Sequence, residues 1–324
     1  MSCSGLLWGL LMEFVVISTL NGISYGMLLF MVSAGLTLIF GMMGVINFAH
    51  AAFYMLGAYF GYAITLVLGF WAGLVISPLI VAAIGVSMER LLLRPVAAHG
   101  HSHQILITFG AALIIGELIK VFFGAFSVPY QIPQELHFSA FTVFGTEYPF
   151  YRVLMGAVAL AMFAILYGLL QWTRIGIIVR AAVHQPVMAE ALGHNVPLVF
   201  TFVFAVGAWL AGVAGALGGA FFTTNPSLGL ELAVIVFVVV VVGGLGSIKG
   251  AFVASMLIGL FSSFSVGFDT SLADLAGLFG LRAQAEAIGG LMVLKLSSIA
   301  ASIPIIIMLV VLLLRPAGLM GERQ

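Results

Sequence analysis

Charge is what this sequence has least of. Among 324 residues there are 11 basic and 11 acidic side chains, 7% of the whole, where a soluble domain carries about 25%. So few charges cannot clothe a water-facing surface of this length, which excludes a large soluble α protein. The formal net charge is zero, so the basic footprint of a nucleic-acid binder is missing as well. The single cysteine, Cys3, rules out an internal disulfide framework and any cysteine-built metal cluster. There is no H-E-x-x-H. The stretch "GGLGSIKG" (243–250) holds glycines and a lysine without the G-x-x-x-x-G-K-[ST] spacing of a phosphate loop. The chain is therefore not expected to hydrolyse ATP, to hold a cofactor or a metal, or to be an enzyme. The N-terminus has no positive n-region and no A-x-A cleavage site, and reads as part of the mature chain.

What is present is apolar sequence. Hydrophobic residues make up 63% and the mean hydropathy is +1.26. A helical membrane span needs about 20 apolar residues. The expected fold is an all-α, polytopic transmembrane helix bundle of eight to ten segments, forming one membrane domain over 1–324. A short first segment near 6–20 is followed by spans near 23–43, 50–68, 72–92, 104–124, 152–172, 198–222, 231–247, 250–268 and 298–314. The first could lie along the interface, and the valine-rich 231–247 could be a half-span.

Lys and Arg mark the cytoplasmic side of such a bundle. Arg90 and Arg94, Arg174 and Arg180, Lys249, and Arg315 and Arg323 all fit one side. The loop 125–151 has two glutamates, three prolines and no Lys or Arg, and is expected outside as a lid. The stretch 269–296 is placed outside too, although Arg282 and Lys295 argue against it. The C-terminus is then cytoplasmic. Glu117 and Lys120, three apart on one helical face, are expected to pair or to snorkel. His99, His101 and His103 read as an exposed loop.

Two segments break the apolar pattern. The first is "TRIGIIVRAAVHQPVMAEALGHNVP" (173–197), too polar to cross and longer than a simple connector needs. Pro186 suits the first turn of a short helix, and Gly193 or Asn195 its end. It is either an amphipathic connector or a docking helix for a cytoplasmic partner. The second is "FGMMGVINFAHAAFYMLGAY" (40–59). Gly41 and Gly44 weaken a helix, and Asn47 brings an amide that lipid cannot satisfy. It is either a polar turn near the cytoplasmic surface or a discontinuous helix lining a solute path, with Asn47 and His50 as polar groups. Thr37 in the preceding span and Tyr54 in the following one join them as candidate path residues.

Residues 41–57 align without gaps on 243–259. Gly41 falls on Gly243, Gly44 on Gly246, Ala52 on Ala254, Gly57 on Gly259, and Asn47 on Lys249. This suggests two related halves, with helix breaks at Gly41 and Gly44 and at Gly243, Gly244 and Gly246. In "AVGAWLAGVAGALGGAFF" small residues recur every four positions, giving a face on which another helix can pack closely.

These stretches carry a resemblance. "INFAHAAFYMLGAY", "GGLGSIKGA" (243–251), "RPAGLMGER" (315–323) and "RAAVHQPVMAEALGHNV" (180–196) resemble the membrane permeases of branched-chain amino-acid ABC transporters of the LivH/LivM type. In size and start the chain is more similar to LivH. The resemblance implies an importer subunit in a prokaryotic inner membrane. Its partners would be a second, LivM-like permease, two cytoplasmic ATPases carrying ATP and Mg, and an extracytoplasmic solute-binding protein. It places Arg180, Ala189, Glu190, Ala191 and Gly193 in a loop that couples to the ATPase. Ala51 and Ala52 stand where the family commonly has glycine and an acidic residue. "QPV" at 185–187 and His194 depart from it as well. Relatives also move urea or short amides, so the resemblance does not name the solute.

Overall fold

A computed structural model describes residues 3–44, 47–268, 270–277 and 280–321. Val45 and Ile46 within the first break, and Arg323 in the tail, lie outside the described residues.

Nearly every described residue outside the loops is helical. Helix α1 (Cys3–Met43) is followed by α2 (His50–Leu68) and α3 (Phe70–Met88), which continues through a π-turn (Glu89–Leu93) into the single turn α4 (Arg94–Val96). Next come α5 (His101–Phe123), the hairpin strands β1 (Ser139–Val143) and β2 (Thr146–Pro149), and α6 (Phe150–Trp172). Two short helices, α7 (Arg174–His184) and α8 (Pro186–Ala191), lead to α9 (Val196–Phe221), α10 (Leu228–Gly243) and α11 (Ile248–Gly267). The short α12 (Leu272–Gly277), α13 (Arg282–Ile288) and α14 (Leu296–Ile299) precede α15 (Ile303–Leu314). Eight helices among the described residues are long and apolar enough to cross a membrane. Helix α10, with 16 residues, spans about 24 Å at 1.5 Å per residue, which is short of a hydrocarbon core of about 30 Å.

One expectation is corrected. The segments 6–20 and 23–43 are a single 41-residue helix. Asn21 and Gly22, which read as a boundary, are contact residues on α1. Asn21 Oδ1 accepts a hydrogen bond from Arg152 at the start of α6. A Cβ on Gly22 would sit 2.8 Å from the Leu260 Cα, so glycine is what lets α11 lie against α1. A half-buried polar residue is tolerable there because its partner is supplied by another helix.

The centre of the bundle is α1, α2, α9 and α11. Helix α11 lies along α1, α2 and α3 lie along α9, and α1 crosses α9. The small-residue face of α9 is buried as its spacing suggests: Ala208, Ala211, Gly212, Gly215, Ala216 and Gly219 all face inward. Without a hydrophobic drive between helices in lipid, close backbone approach of this kind is what holds spans together. At its far end α9 is sealed by the 124–149 loop. Val128 pairs with Thr224, and the Tyr130 hydroxyl donates to the Ala216 carbonyl at 2.8 Å. Tyr148 on β2 donates to the Leu20 carbonyl of α1 at 3.1 Å. The loop thus packs as a lid. The other end of α6 carries α7 and α8.

Beyond α11, Ser271 and Asp274 form a capping box at α12: each side chain accepts from the other's backbone N–H, at 3.1 and 2.8 Å. Hydrogen bonds from the Ser271 backbone and hydroxyl hold the Asp274 carboxyl below its ordinary range. Glu117 and Lys120 pair at 2.6 Å, as their spacing suggests.

Candidate functional site

The chain breaks its helices at two places that meet. Helix α1 ends at Met43, Gly44 takes φ +64°, and the chain re-forms helix at His50. Helix α10 ends at Gly243, Gly244 and Gly246 take φ +100° and +85°, and α11 begins at Ile248. A Cβ on Gly41 would sit 2.8 Å from the Gly246 Cα, so the two breaks touch through backbone. The carbonyls freed at the end of α10 are claimed by the C-terminal tail. Leu319 N–H donates to Val242 at 2.8 Å and Met320 N–H to Gly243 at 3.0 Å. A helix end leaves such carbonyls without intrahelical partners, so the "RPAGLMG" tail completes the break at its structural level.

The first break is exposed at Gly44 and enclosed where the chain re-enters the bundle. Asn47, Ala49 and His50 are buried. The Phe48 N–H donates to Thr108 Oγ1 at 3.3 Å, about two turns into α5. His50 Nε2 donates to the Val32 carbonyl at 2.9 Å, about three turns before the end of α1. A carbonyl can only accept, so Nε2 carries the proton and Nδ1 is the free acceptor. Asn47 Oδ1 accepts from Ala49 N–H at 3.0 Å and shapes the turn into α2. Phe48 stacks on Phe237 of α10 with ring centroids 6.4 Å apart. Protein thus covers the chain from Asn47 to His50, the condition under which irregular backbone is tolerated at membrane depth.

The four candidate path residues are all buried. Thr37 Oγ1 donates to the Ser33 carbonyl of its own helix at 2.8 Å, so its hydroxyl proton is spent within α1. Asn47 Nδ2, His50 Nδ1 and the Tyr54 hydroxyl have no hydrogen-bond partner among the described residues. Tyr54 lies against Leu28 of α1 and Gly218 of α9. Two large cavities open elsewhere, and none of these four residues lines either of them. One, of about 830 Å³, lies between the first half of α1, α11 and Pro304. The other, of about 860 Å³, lies where the breaks meet, lined by Gly41, Gly246, Lys249 and Arg180.

The second candidate region is the α7–α8 segment. Pro186 opens α8 at its first position, and Gly193 ends it with φ +85°. Asn195 instead caps the next helix: its Oδ1 accepts from Leu198 N–H at 3.1 Å. Of the five coupling candidates, Glu190, Ala191 and Gly193 are exposed. Ala189 is buried with Ala182 and Val196, and fastens α8 to α7 and α9. Arg180 turns back to donate to the Leu170 carbonyl of α6. Sequence reasoning missed the apolar side of this surface. Val187, Met188 and Leu192 are 80%, 58% and 73% exposed at the tip of the segment.

It also missed Glu89. This carboxylate, 3% exposed, binds Arg94 through both oxygens at 3.1 and 3.0 Å. Thr201 Oγ1 donates to it at 2.8 Å, and Arg94 also donates to the Pro197 carbonyl at 3.1 Å. The network ties the π-turn after α3 to the first turns of α9, next to the α8 segment. Its only signal in the sequence is an acid five residues before an arginine. Among the described residues, no three His, Cys, Asp or Glu side chains gather as a metal site.

Residues 18–312 match the family model described as branched-chain amino acid transport system / permease component. The chain is 27% identical to the high-affinity branched-chain amino acid transport permease BraD of Pseudomonas aeruginosa, over 94% of this chain and 95% of that one. It is 28% identical to LivH of Escherichia coli, covering 76% and 85% of the two chains. To a probable LivH of Methanocaldococcus jannaschii it is 29% identical, over 93% and 91%. No solved structure matches it.

Proposed function

The chain belongs to this family of branched-chain amino acid transport permease components, and from that premise we propose that it is the membrane-spanning subunit of an ABC importer. Its solute is a branched-chain amino acid or a related small polar molecule, with urea and short amides as alternatives. ATP and Mg are bound by two ATPase subunits on separate chains. A second, LivM-like permease and an extracytoplasmic binding protein complete the assembly. The α7–α8 end and the C-terminus face the cytoplasm of a prokaryotic cell, and the 124–149 lid faces out.

One observation supports this reading above the rest: α8 offers an exposed apolar tip, Val187, Met188 and Leu192, with Glu190 and Ala191 beside it. The segment is held to α9 through buried Ala189 and Val196. A partner gripping that tip would move α9, and α9 carries α2, the helix that follows the first break, on its small-residue face. Tyr54 keeps an unspent hydroxyl at that face, against Gly218, and Asn47 and His50 keep unspent polar atoms at the break that leads into α2. We assign them to the solute path in the state where α2 and α9 part, and to holding the break in the packed state.

The test is uptake in proteoliposomes. Gly193→Val strains a φ of +85°, and Glu190→Lys reverses charge on the docking tip. Each should leave ATP hydrolysis running while solute uptake falls at least tenfold. Wild-type coupling in both variants would remove the docking assignment. Uptake by the purified chain without ATPase subunits would overturn the importer reading.

A further inference from the structure

The cavity where the two breaks meet holds two cations and, among its described lining residues, no anion. Arg180 donates to the Leu170 carbonyl, a neutral group. The Lys249 ammonium sits 4.7 Å from the centre of the Tyr167 ring. Neither makes a salt bridge among the described residues. Both line the same cavity of about 860 Å³, with the amide of Gln171 beside them and apolar Leu245 and Met320 on its wall. A cavity whose described lining sets a guanidinium and an ammonium together without a carboxylate is suited to receive negative charge from outside the chain.

The depth of the cavity says what kind of anion reaches it. Trp172 ends α6 with 81% of its surface exposed, and its ring lies edge-on to Tyr167 at 6.0 Å. Tryptophan and tyrosine at the end of a span sit at the level of lipid headgroups. Lys249 caps the face of that same Tyr167. The Lys249 ammonium is therefore at headgroup depth and shares its cavity with Arg180, an arrangement that suits anionic headgroups between transmembrane helices. The planar fork of Arg180 suits a phosphate oxygen pair, while Lys249 supplies a point charge.

We propose that this cavity binds the phosphate of an anionic phospholipid, with Arg180 and Lys249 as its cationic ligands. The bound lipid would join the coupling segment, through Arg180, to the second break, through Lys249. The inference needs the end of α6 to lie at a membrane interface, and it does not depend on the ATPase reading.

The assembled transporter is purified from a mixture of equal phosphatidylglycerol and phosphatidylcholine, and the lipid it retains is measured by mass spectrometry. Each interfacial cation is worth roughly fivefold, so wild type should retain phosphatidylglycerol about 25-fold over phosphatidylcholine. R180Q/K249Q should fall to near parity, and R174Q, outside the cavity, should match wild type. K249Q alone replaces an exposed side chain and should lose about fivefold, which keeps the test open if the double variant does not assemble. No preference in wild type, or an unchanged preference in K249Q, overturns the proposal. So does full displacement of the lipid by inorganic phosphate, which would mark a site for free anions.

Discussion

After Met43 the chain turns through Gly44 and dives back among its own helices at Asn47. After Gly243 it turns through Gly244 and Gly246 and stays at the rim, where Lys249 is exposed. The glycines that open the two turns correspond in sequence, and Gly41 and Gly246 touch. The polar residues that follow, Asn47 and Lys249, also correspond, yet one is 1% exposed and the other faces a cavity. Glycine sets where each helix stops. The surroundings decide which polar residue is tolerable next. An amide can be buried once a neighbouring N–H engages it, whereas an ammonium at membrane depth must reach water, a headgroup or a counter-charge.

The sharpest way to break that contrast is Asn47→Lys. Placing an unpaired ammonium in the closed break should cost several kcal/mol and leave little monodisperse protein on extraction. Wild-type yield would show that the first break is as open as the second. Gly41→Val comes next. Its side chain would press on the Gly246 backbone, so a loss of about 1–3 kcal/mol is expected, seen as a lower Tm in detergent. Gly44→Ala has open space around it and only its φ of +64° to strain, so about 1 kcal/mol should be lost.

Asn47→Leu removes the hydrogen bond to Ala49, at about 1 kcal/mol, and should cut uptake while assembly persists. Unchanged uptake would leave Asn47 as a turn former alone. The smallest effect is expected for Lys249→Asn, which should stay within about 0.5 kcal/mol by the same Tm measurement.

Much of this was legible without coordinates. Pro186 and Gly193 bounded α8 because each imposes its backbone angle locally. Gly44, Gly244 and Gly246 turn the chain for the same reason, whereas Gly41 and Gly243, also expected as breaks, stay helical and serve close packing. The boundary drawn at Asn21 and Gly22 failed because those residues serve α6 and α11, partners far away in sequence. The Glu89–Arg94–Thr201 network was invisible on the same ground, since Thr201 lies on another helix. The tail motif was recognisable as a pattern, but its work, capping α10 through Leu319 and Met320, appears only when the two ends meet.

The sequence by itself determined that this is an all-α membrane protein and where most of its helices stop. Lipid forces every backbone group to be satisfied within its own segment, so that information is local. Only the tertiary structure decided which faces meet. Spans apolar on all sides carry no amphipathic phase to announce their partners. Whether Asn47 or Lys249 is enclosed, and whether Arg180 turns toward α8 or toward the cavity, therefore depends on helices brought together from distant parts of the chain.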